Sequence, residues 1–170
     1  WFQLSLKEGF TTLRGYQFCQ DLFFQDAKRI EETIFMRTNQ YLEASGPLAH
    51  SIKPDSYREI FNLYTATVYQ KGAEVIRMMI LLLGKSVFIK GCDLFFDSYD
   101  GSAATTDHFI YTMESVSGME LTHFRDWYSS ERTPTIDIKG EYCRVTKEYR
   151  LDVKQVPSST LHFPLSIGFV

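Results

Sequence analysis

Two segments hold side chains of types that can do chemistry, although residue type does not choose them from the other acids and tyrosines: Glu8 in Leu6-Lys7-Glu8-Gly9, and Tyr69 in Val68-Tyr69-Gln70-Lys71-Gly72-Ala73-Glu74-Val75. A carboxylate can ligate a metal ion through an anionic oxygen. A tyrosine, protonated at neutral pH, can donate a hydrogen bond to a developing oxyanion. Residue type alone leaves ordinary readings open for both. A glutamate between a lysine and a glycine is usually a solvated surface group, and Tyr69 is one of ten tyrosines, most of which pack with the hydroxyl hydrogen-bonded. His50, His108, His123 and His162 stand at neither three-residue nor four-residue spacing from one another, so none forms a zinc pair. Asp97-Ser98-Tyr99-Asp100-Gly101 reads as a turn rather than a calcium loop, because Phe96 occupies the position of the first ligand.

The elements that must position these groups are helical over residues 1 to about 130, where apolar residues recur at steps of three and four. Glu74 to Leu83 reads as one helix stopped at Gly84. Val87, Phe88, Cys92, Leu94, Phe95 and Phe96 form the stripe of the next, which ends at Asp100-Gly101. Thr105 or Thr106 caps a helix that leaves at Gly118, and Thr122 caps another holding Phe124, Trp127 and Tyr128. Trp1, Phe2, Leu4 and Leu6 around Glu8 predict a buried helix, which would hold the carboxylate in place.

Ser129-Ser130-Glu131-Arg132-Thr133-Pro134 breaks the helical period, and beyond it the period becomes two. Ile136 and Ile138, then Tyr149, Leu151 and Val153, then Leu161, Phe163, Leu165, Ile167 and Phe169 alternate as strands with one buried face do. The pattern predicts an α+β chain divided into residues 1–132 and 133–170, with the last strand cut short and its edge unpaired.

Composition narrows the function classes. With 170 residues, 44% hydrophobic and 15% aromatic, the chain can bury a core. A formal charge of −3 supplies no basic field for nucleic acid or an acidic membrane surface. The apolar run Val75 to Leu83 is broken by Arg77 and is far short of the roughly 20 residues of a membrane span. Cys19, Cys92 and Cys143 lack a C-x-x-C pair, which argues against a disulfide framework or a thiolate zinc site and favours a reducing compartment. Neither Asn39 nor Asn62 begins an N-x-S/T sequence, which fits an intracellular protein.

Taken together, Trp1 to Gly9 and Tyr64 to Val75 resemble the aminopeptidase N family of zinc exopeptidases. Asp100-Gly101-Ser102-Ala103-Ala104-Thr105 and His123-Phe124-x-x-Trp127-Tyr128 extend the resemblance to about Thr135. In that family a His-Glu-x-x-His helix supplies two zinc ligands and a glutamate further along supplies the third. Leu6-Lys7-Glu8-Gly9 matches the third-ligand segment, so the resemblance implies Glu8 as zinc ligand and places the histidine motif before Trp1. It implies Tyr69 as donor to the oxyanion, and Tyr64 and Phe61 as residues at the pocket for the substrate's first side chain. Phe61 and Gln70 stand where relatives carry polar and acidic residues, which bears on side-chain preference and not on the reaction. His50 follows a Glu-x-x-Ser/Gly-Pro stretch as in the family, although the usual proline after it is absent.

The fold implied is the C-terminal helical half of a thermolysin-like catalytic domain followed by the start of an antiparallel β-sandwich. The activity implied is release of N-terminal amino acids from peptides by attack of a zinc-bound water. One zinc ion serves a complete catalytic domain, and the partners are peptides with a free N-terminus and the remaining domains of the same polypeptide. The resemblance also implies that these 170 residues alone are inactive, and that the parent protein works in the cytoplasm on peptide turnover. Two alternatives stand beside it: a catalytically inactive scaffold of the same fold that binds proteins, and a self-standing helical adaptor with a β appendage.

Overall fold

The computed structural model describes residues 1–156 and 161–168. Helix α1 (Leu4–Leu22) is followed by α2 (Gln25–Phe35), which continues through a π turn at Met36–Gln40 into α3 (Tyr41–Ser45). An extended stretch leads to a 3-10 turn at Ile60–Leu63 and then to a second π turn, Thr67–Lys71, that opens α4 (Gly72–Leu83). Helices α5 (Lys85–Tyr99), α6 (Thr106–Ser117) and α7 (Phe124–Ser129) complete the helical array. Strands β1 (Ile136–Cys143) and β2 (Glu148–Gln155) form an antiparallel ribbon.

α4 is the central helix, because Ala73, Val75, Ile76 and Met79 cover more than one of its faces and all are buried. It stops at Gly84, whose φ of +79° suits a residue without Cβ. The core spreads from it to Phe109, Ile110 and Met113 of α6, with Phe95 meeting Phe109 edge to face at 5.3 Å. Thr105 caps α6 as its position predicts: its hydroxyl accepts from the His108 N–H at 3.2 Å, and its own N–H donates to His108 Nδ1 at 3.3 Å. Gly118, with φ +69°, ends the helix.

Three expectations are corrected. Thr122 does not cap α7 with its side chain. The chain is already helical at His123, and Thr122 instead offers its carbonyl to the Arg125 N–H at 3.0 Å. Glu8 does not sit on a helix buried on all sides, since Trp1 and Phe2 are exposed while Leu4 and Ser5 are buried.

The third correction concerns the strands. β1 and β2 pair with Ile138 opposite Val153 and Tyr142 opposite Tyr149, yet these side chains are exposed. A two-stranded ribbon buries a face only against a second layer. Leu161 to Gly168 form no strand, and Phe169 lies outside the described residues. Leu161 is buried in the helical core and Phe163 packs on Trp127. The Trp127 indole N–H donates to the His162 carbonyl at 2.6 Å, and Gln155 Nε2 donates to the Leu161 carbonyl at 2.6 Å. Those carbonyls, which a sheet ladder would use, are held by side chains. No helix among the described residues is long and apolar enough to cross a membrane.

Candidate functional site

Glu8 and Tyr69 belong to elements that cross at close range. α1 lies against the second π turn and the start of α4, where the Ser5 hydroxyl donates to the Val68 carbonyl at 2.7 Å. One residue-turn further, Gly9 faces Gly72. A Cβ on Gly9 would stand 3.0 Å from the Gly72 carbonyl carbon, and one on Gly72 would overlap the Ser5 hydroxyl. The missing side chains let the two backbones approach. Gln3 ties the start of α1 to α6, its Oε1 accepting from the Thr106 N–H at 2.9 Å and the Thr106 hydroxyl at 3.1 Å.

Tyr69 rests on a small apolar cluster of Leu4, Leu63 and Val68, separate from the main core. Burial, then the charge of Glu8 and its hydrogen bonding, raise the pKa of the Tyr69 hydroxyl above its usual value, with Lys7 opposing. The phenol is therefore protonated throughout the neutral range. Glu8 is mostly covered, its side chain 16% exposed, and it pairs with Lys7 Nζ at 2.9 Å.

Tyr64 does not share a helix with Tyr69. It follows the 3-10 turn, and the chain turns again before Thr67, so that the rings lie 6.4 Å apart, inclined by 39°. On one regular helix, five positions would separate the two side chains by roughly 140°. The two tyrosines border an open groove of about 540 Å³ that Asn39, Leu42, Glu43 and Gln70 also line. Phe61 stands outside that groove on the 3-10 turn, 78% exposed. Glu8, Tyr69 and Tyr64 are thus brought together, and Phe61 is not among the residues that line their groove.

Sequence reasoning passed over Glu43. Its carboxylate accepts from the Ala66 N–H at 3.2 Å, the Thr67 N–H at 2.8 Å and the Thr67 hydroxyl at 2.6 Å. His50 Nε2 lies 3.8 Å from the same carboxylate. The only signal was the Glu-x-x-Ser/Gly-Pro stretch, which says nothing of a partner more than twenty residues away. The π turn was also missed, since it spans only five residues, too few for a change of period to stand out from the flanking helix.

Behind the site, Lys71 is buried and donates to the Ser130 carbonyl at 3.1 Å and the Arg132 carbonyl at 3.3 Å. Glu74 receives Arg29 at 2.6 and 2.9 Å and Arg77 at 2.7 and 2.9 Å, which locks α2 to α4. Both lysine and glutamate line a cavity of about 310 Å³ beside Trp127 and Pro134, away from Glu8 and Tyr69.

Comparison with known proteins gives this geometry its family. Residues 1–128 match the peptidase family M1 domain. The chain is 46% identical over 175 residues to aminopeptidase N of Escherichia coli strain K12, a match that covers 98% of this chain and 20% of that protein. It is 43% identical to aminopeptidase N of Haemophilus influenzae, over 99% of this chain and again 20% of the relative. Among solved structures, Legionella pneumophila aminopeptidase A in complex with aspartic acid superposes with a TM-score of 0.78 at 34% identity, over 92% of this chain and 17% of that one.

The fold and the sequence match therefore define part of a peptidase-family domain. The chain belongs to peptidase family M1, as the aminopeptidase N resemblance of its motifs implied. It spans about a fifth of the length of the curated relatives it matches.

Proposed function

We propose that the polypeptide carrying this sequence is a zinc aminopeptidase that releases amino acids one at a time from peptides with a free N-terminus. The observation that carries this reading is the close crossing of α1 and the second π turn, Ser5 on the Val68 carbonyl and Gly9 against Gly72, which brings the Glu8 carboxylate and the Tyr69 phenol to one place. Two residues more than sixty positions apart reach this arrangement through a glycine contact that serves no local need.

Glu8 fits zinc by donor chemistry. It is an anionic oxygen held on a rigid helix, mostly covered, with one flexible lysine as its ion pair. Among the described residues no cluster of three His, Cys, Asp or Glu side chains surrounds a common point, so further ligands are assigned to the rest of the polypeptide. When bound, zinc supplies a Lewis acid that makes water a nucleophile near neutral pH and polarises a carbonyl. Tyr69 supplies a hydrogen bond to the carbonyl oxygen as negative charge develops there, and its raised pKa keeps the proton available. Tyr64, and Phe61 on the 3-10 turn, offer aromatic surface to the substrate's first side chain. A cytoplasmic location, in keeping with three unpaired cysteines, belongs to the same proposal.

The test uses the full-length polypeptide, with zinc measured on the purified protein and release of N-terminal residues followed on a short peptide. Glu8→Gln should lower the zinc content and abolish turnover together. Full zinc occupancy and normal turnover in that variant would remove Glu8 from the site.

A further inference from the structure

Three donors at the start of the π turn that bears Tyr69 converge on one carboxylate, which comes from a different element. Glu43 lies on α3, and it takes the N–H groups of Ala66 and Thr67 and the Thr67 hydroxyl, all within 3.2 Å. The first N–H groups of a helical segment have no partner inside it, and a carboxylate there also meets the positive end of the peptide dipoles. Such charge-assisted bonds are about twice as strong as neutral ones. Thr67 is 1% exposed, so water competes little for them. Gln40, equally buried, adds a contact from its Nε2 to the Thr67 hydroxyl at 3.4 Å.

We propose that Glu43 is a positioning residue for the reaction assigned above: by anchoring the first turn of the Thr67–Lys71 segment, it sets where the Tyr69 hydroxyl stands over Glu8. The proposal rests on the Tyr69 reading. Tyr69 follows Thr67 by two residues, and its own N–H is held by the Thr65 carbonyl at 3.1 Å. The segment is thus fixed at its entry by Glu43 and along its flank by Ser5, whose hydroxyl donates to the Val68 carbonyl. A π turn is a single-turn departure from the α-helix, so an anchor on its first donors bears directly on the direction of the side chains it carries. Displacement of a reacting group by about 1 Å can cost on the order of 100-fold in rate.

The experiment is a double-mutant cycle in the active full-length polypeptide, with zinc content measured on every variant. Glu43→Gln keeps shape and one carbonyl acceptor but removes the charge. It should lower kcat by roughly 10- to 100-fold, with KM within about threefold and zinc content unchanged. Glu43→Asp should recover part of the loss. In a Tyr69→Phe background, Glu43→Gln should add less than about twofold, because the hydroxyl it positions is already gone.

If Glu43→Gln costs the same factor with and without the Tyr69 hydroxyl, or raises KM while sparing kcat, the positioning role is overturned and the Tyr69 assignment stands. Wild-type turnover in Tyr69→Phe alone overturns the Tyr69 assignment, and the proposal with it. Should Glu43→Gln fail to fold, Thr67→Val, which keeps the volume and deletes one of the three donors, is carried through the same cycle. Equal losses in its two backgrounds, or no loss at all, overturn the proposal in the same way.

Discussion

Gly9 and Gly72 touch backbone to backbone: a Cβ on Gly9 would stand 3.0 Å from the Gly72 carbonyl carbon. This contact, rather than any pairing between side chains, sets the distance from α1 to the π turn, and so from Glu8 to Tyr69. Gly9→Ala gains about 1 kcal/mol of helix propensity and loses more by overpacking, with a net destabilisation of about 1–2 kcal/mol. The melting temperature and kcat should fall together in the full-length polypeptide. An unchanged kcat in a destabilised variant would show that the crossing distance does not govern the site.

Tyr69→Phe deletes the proposed donor while keeping the ring on Leu4, Leu63 and Val68. Turnover should drop by about 10²–10³, with zinc content and melting temperature close to wild type. Loss of zinc in this variant would instead give the hydroxyl a structural role beside Glu8.

Glu74 should make the protein sensitive to acid. Burial raises its pKa, but hydrogen bonds and charge from Arg29 and Arg77 outweigh that and hold it below the usual carboxylate value. A depressed folded-state pKa contributes stability that is present above the unfolded value and is lost as pH falls through the folded one. Denaturation of Glu74→Gln should show a loss of about 2–3 kcal/mol near pH 7, because Arg77 loses its carboxylate and Arg29 keeps only its contact to Glu32 at 3.2 Å. The gap to wild type should close as pH drops below about 4. A gap constant with pH would mean that the charge of Glu74 adds nothing.

Lys71 has the opposite dependence. Burial pushes its ammonium down to about 8, with Glu131 opposing, so the folded protein binds this proton less tightly than the unfolded chain. Stability from this group therefore rises between about pH 8 and 10.5 and is lowest below that window. The difference between Lys71→Met and wild type in urea unfolding should shift in favour of wild type by on the order of 2–3 kcal/mol from pH 7.5 to 10.5. No shift would place the Lys71 ammonium in contact with solvent.

The helices could be read from the sequence because their signals are local. Gly84, Gly118 and the Thr105 cap end or begin helices through their own backbone or side chain, and each does so in the structure. The strands were only partly legible. Alternation reports a face that could be buried, not what buries it, so Ile138 and Val153 formed a ribbon while Leu161 and Phe163 joined the helical core instead. Glu8, Tyr64 and Tyr69 were singled out through family motifs, whereas Glu43 carried only the Glu-x-x-Ser/Gly-Pro stretch, which does not reveal its partners on the π turn.

The sequence by itself determined the residue types, the helix ends at Gly84, Gly118 and Thr105, and the family, since each is written in short stretches of neighbouring residues. Only the tertiary structure decided that Tyr64 and Tyr69 stand 6.4 Å apart and that Glu43 anchors the turn beneath them. The physical reason is that these relations depend on a π turn and on a helix crossing at which two glycines let the backbones approach. Both are properties of three-dimensional fit between residues far apart in the chain.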